Sequence, residues 1–558
     1  MAVLDSCVWA QESKYFQSAP PDAFLDGSTL AYYGSENEWS RRQFSVEKAD
    51  KSRKRQGQRQ LLGILDGKSA EVVGLSRQRI QADPTDLESH FTLAIAYSQL
   101  GEHDQAFEVA KKAIDAGLPI ERFLAGPRHL LQPLLETESF QKLLSQQSVP
   151  ILHGPMLGCV SDHGAKVWVR TAKEETVTVK VYACDPGGVP TDQVVESATA
   201  KSDAQVDYTA IVDLSNLQPG TEYAYDVTVG DIAATQGSLP RFHTFPPLGS
   251  SVRMQIAFGG GAGYIQEHER MWDTVSAYRP DALFLLGDNV YIDLPEKPRG
   301  LHRYTYYRRQ SRPEFRRLVS STPVFSIWDD HDCAMDDVWM GPFVDRPSWK
   351  PDMLTVFREN WVNPAYGNSV APGCWYQLTI GDVDFFFLDT RYYRTNPFGE
   401  KPTMLGPIQK AWLLEGLKQS QATFKVLVSS VPWAPGAKPG SHDTWDGFLA
   451  EREEIFSAIE TQKIDGVLLL SADRHRSDAW KIDRPGGYAL YDMMSSKLTN
   501  EHTHECFAES IFCYNEACSF GLLSIDTSQA DSAATYQVIN IDGKVVHTLP
   551  LRKNQLSH

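Results

Sequence analysis

Three short apolar runs in this sequence each stop abruptly at residues that can bind a metal ion or move a proton. Residues 282–286 lead into Gly287-Asp288-Asn289-Val290-Tyr291, residues 324–328 into Asp329-Asp330-His331-Asp332, and residues 466–470 into Ser471-Ala472-Asp473-Arg474-His475. A run of that length, apolar but for Ser326 in the second, reads as a buried strand, and in open α/β sheets ligands bind at the C-terminal strand edge. A single acidic strand end more often only closes a turn or caps a helix. Three in one region, two of them with histidine, argue for a shared site at Asp288, Tyr291, Asp330, His331, Asp473 and His475. Carboxylate, phenol and imidazole ligands suit hard or borderline cations. Two such cations sharing a bridging carboxylate can hold a phosphate, generate hydroxide and stabilise the leaving oxygen of an in-line displacement.

The elements that must position these residues follow from the hydrophobic period. Further strand-like runs occur at 254–258, 383–388 and 425–429, and a helix is expected over 265–278, with Ile265, Met271, Trp272, Val275 and Tyr278 on one face. This alternation predicts a layered α/β domain with mixed sheets over residues 250–558. A hairpin over 536–549 should turn at Asp542-Gly543, a dipeptide suited to a tight primed turn. Residues 148–246 alternate apolar and polar side chains, and Leu-Gln-Pro-Gly-Thr-Glu-Tyr at 217–223 is similar to the corner of a fibronectin-type sandwich, where a tyrosine closes the turn. Pro246, Pro247 and Gly249 read as a linker. Residues 51–147 are helical in pattern. Gly67 and Gly101 lie 34 residues apart, the period of a tetratricopeptide repeat, and Leu93, Ala94, Tyr97, Ala106 and Ala113 alternate small and large side chains as packed helix pairs require. Two such units are too few for a free-standing solenoid, so this prefix should pack on another domain; a groove that binds a protein partner is the alternative. Residues 1–50, broken by Pro20, Pro21, Gly27 and Gly34, form an irregular N-terminal segment with no assignable element.

Composition narrows the functional classes. With 558 residues the chain should hold about three domains, and its formal charge of −17 leaves no basic stripe for nucleic acid or an anionic membrane. No stretch approaches the ~20 apolar residues of a membrane span. The N-terminus lacks the basic region and apolar core of a signal peptide, so as written it carries no export address. Five of the eight cysteines are scattered, and Cys506, Cys513 and Cys518 match no zinc spacing, which leaves a disulfide or free thiols. No Gly-x-Ser-x-Gly elbow is present, which disfavours a serine hydrolase. His502, His504 and Glu505 in His-Thr-His-Glu read as a solvated loop rather than a ligand cluster. Arg391 could clamp a phosphate bidentately, or could pair with Asp389 or another carboxylate.

The set Gly-Asp-Asn-Val-Tyr, Trp-Asp-Asp-His-Asp, Phe-Leu-Asp-Thr-Arg-Tyr-Tyr-Arg and Leu-Ser-Ala-Asp-Arg-His, in that order behind a β-sandwich, resembles the PhoD-type alkaline phosphatases and phosphodiesterases of the calcineurin-like metallophosphatase superfamily. The resemblance covers about 148–558 and leaves the helical prefix outside it. It implies two mixed β-sheets flanked by helices, a small phosphoester substrate and an extracytoplasmic location. It makes Asp288 the bridging ligand, Tyr291 and His475 ligands of a first metal, Asp330 and Asp473 ligands of a second, and His331 the catalytic residue over the phosphoryl group. The implied metals are Fe3+ and Ca2+. A phenol with a pKa near ~10 ligates readily only when a strongly Lewis-acidic ion displaces its proton, which fits Tyr291 to ferric iron. The expected reaction is phosphoester hydrolysis by direct attack of metal-bound hydroxide on phosphorus, with Arg391 as a substrate contact. The alternative is a degenerate, non-catalytic member that binds a partner through its helical repeats.

One position departs from the family pattern. The first strand leads into Phe258-Gly259-Gly260-Gly261-Ala262-Gly263-Tyr264, with Gly261 where the family places a cysteine that binds iron. Residues 429–432, Ser-Ser-Val-Pro, also lack the histidine of many relatives. Either water or substrate fills the gap, or the metal differs, or the first site is weak. The glycines are a poor match to a nucleotide loop and better explained by close approach of the backbone to the site.

Overall fold

The computed structural model describes residues 53–234 and 237–558. The irregular segment expected at 1–50 lies outside the described residues. Two sheets carry the C-terminal half. One has six strands in the order Val324–Ile327, Ala282–Leu286, Arg253–Gly259, Ser519–Asp526, Ala533–Asn540 and Val545–Arg552, the first three parallel and the rest antiparallel. The other has seven, with Val383–Phe387, Phe424–Val428, Val467–Ser471 and Leu490–Met494 parallel at its centre. Their apolar faces meet at Phe284, whose ring lies 5.1 Å from Phe385 and 4.8 Å from Phe387. Outer helices cover both sheets. Trp272 and Phe315 pack edge to face behind the first, and Leu413, Leu417, Ile455 and Phe456 cover Phe386, Leu427 and Leu469 of the second.

Burying both faces of the parallel strands explains their continuous apolar sequences. It also sends Asp288, Asp330 and Asp473 to one edge, since they follow parallel strands. The expected helix at 265–278 is shorter: a 3-10 turn at Gln266–His268 precedes a helix over Met271–Ala277, because the glycine-rich segment before it is held by the site. In the C-terminal hairpin Gly543 is left-handed (φ 76°) while Asp542 is not, so the turn is a longer loop and not the primed two-residue turn expected.

Residues 148–246 fold as two small sheets, and the Gln218 N–H donates to the Tyr223 hydroxyl at 2.9 Å, closing the expected corner. This unit shares one apolar core with the larger domain. Trp168 Nε1 donates to the Glu359 carbonyl at 3.0 Å, and Arg170 donates to Gln310 and Asn360.

The prefix forms helix pairs Gln56–Leu65 with Ser69–Ala82 and Leu87–Gln99 with His103–Asp115. Gly67 and Gly101 hold the same place in each pair, both at φ 77° between the two helices. The pairs pack on helix Arg299–Gln310, whose Leu301, Tyr304 and Tyr307 belong to the prefix core. Glu88 seals this joint by pairing with Arg122 (2.6 and 2.9 Å) and accepting from Tyr304. No helix among the described residues is long and apolar enough to cross a membrane. Cys506 and Cys513 form a disulfide, and Cys518 is a free buried thiol.

Candidate metal centre

The strand ends leave their sheets through strained backbone. Asp288, Asp473 and His475 adopt φ values of 52°, 71° and 48°, and Asp293 and Asp337 nearby are at 61° and 56°. Non-glycine residues rarely take this left-handed conformation, and where they cluster the surrounding structure enforces it for a local purpose. Gly287 makes the approach possible. It sits at φ 100°, and a Cβ there would lie 2.5 Å from that of Asp329, so only glycine lets the first two acidic turns meet.

Asp288, Asp330 and His331 each bring a ligand atom within 4.8 Å of the others, all three buried. Tyr291 donates its hydroxyl to Asp288 Oδ2 at 2.8 Å, His475 Nε2 lies 3.8 Å from the same oxygen, and Asn500 Nδ2 donates to the Tyr291 hydroxyl at 2.7 Å. Asp473 stands at the other side, where Lys438 Nζ is 3.9 Å from its Oδ2, 3.4 Å from Asp443 and 2.8 Å from Asp337. Asp330, Asp337 and Asp443 form a second acidic triad of the same dimension.

Electrostatics show what the cluster requires. Burial, reinforced by Asp330, Asp329 and Asp332 and opposed by His331, pushes Asp288 well above the usual carboxylate range. Burial and Asp288 push Tyr291 well above the ordinary phenol. Burial would lower His331, but Asp330, Asp293 and Asp288 outweigh it and hold the ring as an imidazolium. Asp288 Oδ1 and Asp473 Oδ2 are buried with no hydrogen-bond partner. The orphaned Asp288 oxygen among like charges could hold a cation, whereas Asp473 Oδ2 has Lys438 at 3.9 Å and Arg474 at 3.7 Å; the oxygen and nitrogen donors present fit hard or borderline metals.

His331 is held by a relay. Its Nδ1 bonds to Asp293 Oδ1 at 2.5 Å, and Arg55 from the helical prefix grips both oxygens of Asp293, its Nη2 at 3.0 Å from Oδ1. Lys54 places its ammonium 3.8 Å from the centre of the Tyr291 ring. Burial and Arg55 lower Lys54 to about 7 against the opposing pull of Asp288, Asp293 and Asp336.

Arg391 takes the second of its two expected roles, pairing with carboxylates. Its side chain is fully buried, with Nε on Asp329 at 2.5 Å and its two Nη atoms on Asp443 at 2.6 and 3.0 Å. Its side chain braces Asp329 and Asp443, while its backbone N–H donates to Asp389 Oδ1 at 2.9 Å. The His-Thr-His-Glu segment is an irregular, largely exposed loop, and its His502 and His504 rings lie 5.5 and 5.9 Å from that of His475. At Gly261 (φ 67°) a Cβ would lie 2.7 Å from His475 Nδ1 and 2.9 Å from Ser496 Oγ. The place of the thiolate is therefore filled by His475 and Ser496. A cleft of 230 Å³ opens beside Asp337 and Asp443, walled by Trp339, Phe398 and His442.

Sequence reasoning missed Lys54, Arg55, Asp293, Lys438, Asp443 and Asn500. Asp293 carried a signal, as it ends the same polar turn as Asp288. Lys54 and Arg55 carried none, since they lie more than 230 residues before their partners.

Comparison with known proteins bears on the fold that carries this geometry. Residues 256–512 match the family model of the PhoD-like phosphatases, and residues 148–244 match a domain of unknown function (DUF7800). Alkaline phosphatase D of Bacillus subtilis (strain 168) is 24% identical over 359 residues, 55% of this chain and 59% of that protein. The chain thus spans about three fifths of that relative's length. A PhoD structure aligns over 74% of this chain and 92% of its own, at 18% identity and a TM-score of 0.61. A purple acid phosphatase from yellow lupin (Lupinus luteus) seeds aligns over 72% and 75%, at 13% identity and a TM-score of 0.51. These likenesses establish the metallophosphatase fold, and residues 256–512 of the chain are similar to the PhoD-like phosphatases.

Proposed function

We propose that this protein is a metal-dependent phosphoester hydrolase. The observation that carries the reading is the buried triad Asp288, Asp330 and His331, with an unpartnered oxygen on Asp288. Asp288, Tyr291 and His475 would hold one metal ion, and Asp330 and Asp473 a second, with Asp288 shared between them. When bound, such ions supply Lewis acidity toward phosphoryl oxygens and acidify a water.

The chain's own residues do the rest. His331, charged and oriented by Asp293 at Nδ1, would use its Nε2–H, which lies 3.4 Å from Asp336 Oδ1, to neutralise charge on the phosphoryl group or pass a proton to the departing oxygen. Asp293 fixes which ring nitrogen faces the site, and Arg55 keeps Asp293 ionised, holding its carboxyl well below the usual range although burial opposes this. Arg391 and Lys438 keep the second carboxylate group assembled. Ferric iron and calcium remain the expectation from resemblance, with Ser496, Asn500 and the neighbouring histidines taking the surroundings of the absent thiolate. The non-catalytic alternative gains nothing from the packing, because Leu294, Leu301, Tyr304 and Tyr307 of the PhoD-like domain complete the prefix core.

Purified protein should contain about two metal ions per chain and hydrolyse an aryl phosphate monoester or diester. Asp288→Asn and Asp330→Asn should each lower kcat by at least about a thousandfold while the far-ultraviolet circular dichroism is unchanged. No bound metal and no turnover after adding iron, calcium, manganese or zinc would overturn the reading.

A further inference from the structure

The helical prefix does more than pack. Helix Gln56–Leu65 is preceded by a short 3-10 turn, Arg53–Arg55, that enters the PhoD-like domain beside the metal centre. Two anchors fix the entry. Arg308 Nη1 donates to the Lys54 carbonyl at 3.0 Å, and Gln58 Nε2 donates to the Ile292 carbonyl at 2.6 Å. Between them Arg55 is committed to Asp293, and Lys54 is not committed to any carboxylate.

That difference is informative. Lys54 is 8% exposed, and among the described residues its ammonium donates no hydrogen bond; its recorded contact is the face of Tyr291. Ammonium groups are strongly hydrated, and this one, nearly buried and without a protein acceptor, has its donors free for an acceptor that enters the site. The surroundings name the ligand's charge. Tyr291 donates to Asp288, and its ring lies 4.5 Å from that of His331, so Lys54 borders both the metal-binding carboxylate and the imidazolium. A ligand there must accept hydrogen bonds and carry negative charge beyond what the carboxylates already supply.

We propose that Lys54 is a substrate-binding residue, supplied by the helical prefix, whose ammonium donates to a non-bridging oxygen of the phosphoryl group. The inference rests on the hydrolase reading and adds to it that the prefix forms one wall of the substrate site. Sequence resemblance could not place it there, since the matched family segment begins at residue 256. Lys54 acts by direct contact, whereas Arg55 is a positioning residue that acts through Asp293 on His331.

The test uses the full-length, metal-loaded protein and compares wild type with Lys54→Met and Lys54→Arg. Inorganic phosphate is the probe for binding, and an aryl phosphate is the probe for turnover. Losing one charge-assisted hydrogen bond should weaken phosphate binding and raise KM about ten- to a hundredfold in Lys54→Met. Metal content should stay unchanged, and Lys54→Arg should recover most of the loss. Phosphate affinity and KM within about twofold of wild type in Lys54→Met would overturn the inference while a hydrolysing wild type leaves the functional reading standing. Loss of metal or of fold in both variants would overturn it too, by showing a structural cation. If wild type neither hydrolyses the ester nor binds phosphate, both the inference and the functional reading fall.

Discussion

At the scale of single residues, Gly261 decides how the first metal can be held. The sequence leaves open whether a missing thiolate leaves a hole. There is none, because a Cβ at 261 would already lie 2.7 Å from His475 Nδ1 and 2.9 Å from the Lys497 N–H nitrogen. The left-handed φ of 67° adds a backbone cost of about 1–2 kcal/mol for any L residue. Gly261→Cys should therefore not restore a ligand. It should displace His475 and lower metal content below that of wild type, with the new thiol open to alkylation. Full metal content with a protected thiol would show that the site still accommodates the family ligand. The residues whose placement could be read in advance were those whose position follows from a strand: Asp288, Asp330, Asp473 and His475 follow apolar runs. Arg391 was left between a phosphate clamp and a carboxylate pair, because the sequence shows an arginine beside acidic motifs but not that Asp329 and Asp443 flank it in space.

At the scale of elements, the helices of residues 51–147 were legible from period and glycine spacing, and so was the need to pack on something. Their target was not. Helix Arg299–Gln310 is rich in arginine and tyrosine and reads as polar, yet Tyr304 and Tyr307 bury their rings and send their hydroxyls to Glu88 and Asp207. Glu88 is the keystone of this joint. Burial alone would raise its carboxyl, but Arg122, Arg308 and Tyr304 reverse that and hold it below the ordinary value. A carboxyl depressed in the folded state stabilises it above the unfolded pKa of about 4.3, and that contribution fades as pH falls through the folded value. Glu88→Gln should leave Arg122 buried without its charge partner and cost about 3 kcal/mol at neutral pH. The loss should shrink below pH ~4, where wild type also gives up the pair. Thermal unfolding of both proteins at pH 7 and pH 3.5 checks this. An equal difference at the two pH values would mean the carboxylate charge is not what holds the joint.

At the scale of the whole molecule, one core joins the sandwich to the PhoD-like domain and a second joins that domain to the prefix, so stability and site chemistry are linked through the buried acids. Burial raises Asp288 well above the normal range, and it raises Asp329 to about 7 despite Arg391. In the metal-free protein these carboxyls stay protonated when folded and ionise when unfolded. Between the unfolded pKa near ~4 and the raised folded values, the unfolded chain binds fewer protons, so stability must fall as pH rises. Each such carboxyl contributes up to about 1.4 kcal/mol per pH unit in that window. Bound cations remove the effect by favouring the ionised form, and binding should release protons. Chelator-stripped protein should therefore lose thermal stability between pH 5 and 7, and metal-loaded protein should not. Calorimetric titration of metal into stripped protein, in two buffers of different ionisation enthalpy, should report proton release at pH 6. Parallel pH profiles with and without metal, or no proton release, would mean that the raised acids are not where the cations bind, and the metal centre would have to be sought at Asp337 and Asp443 instead.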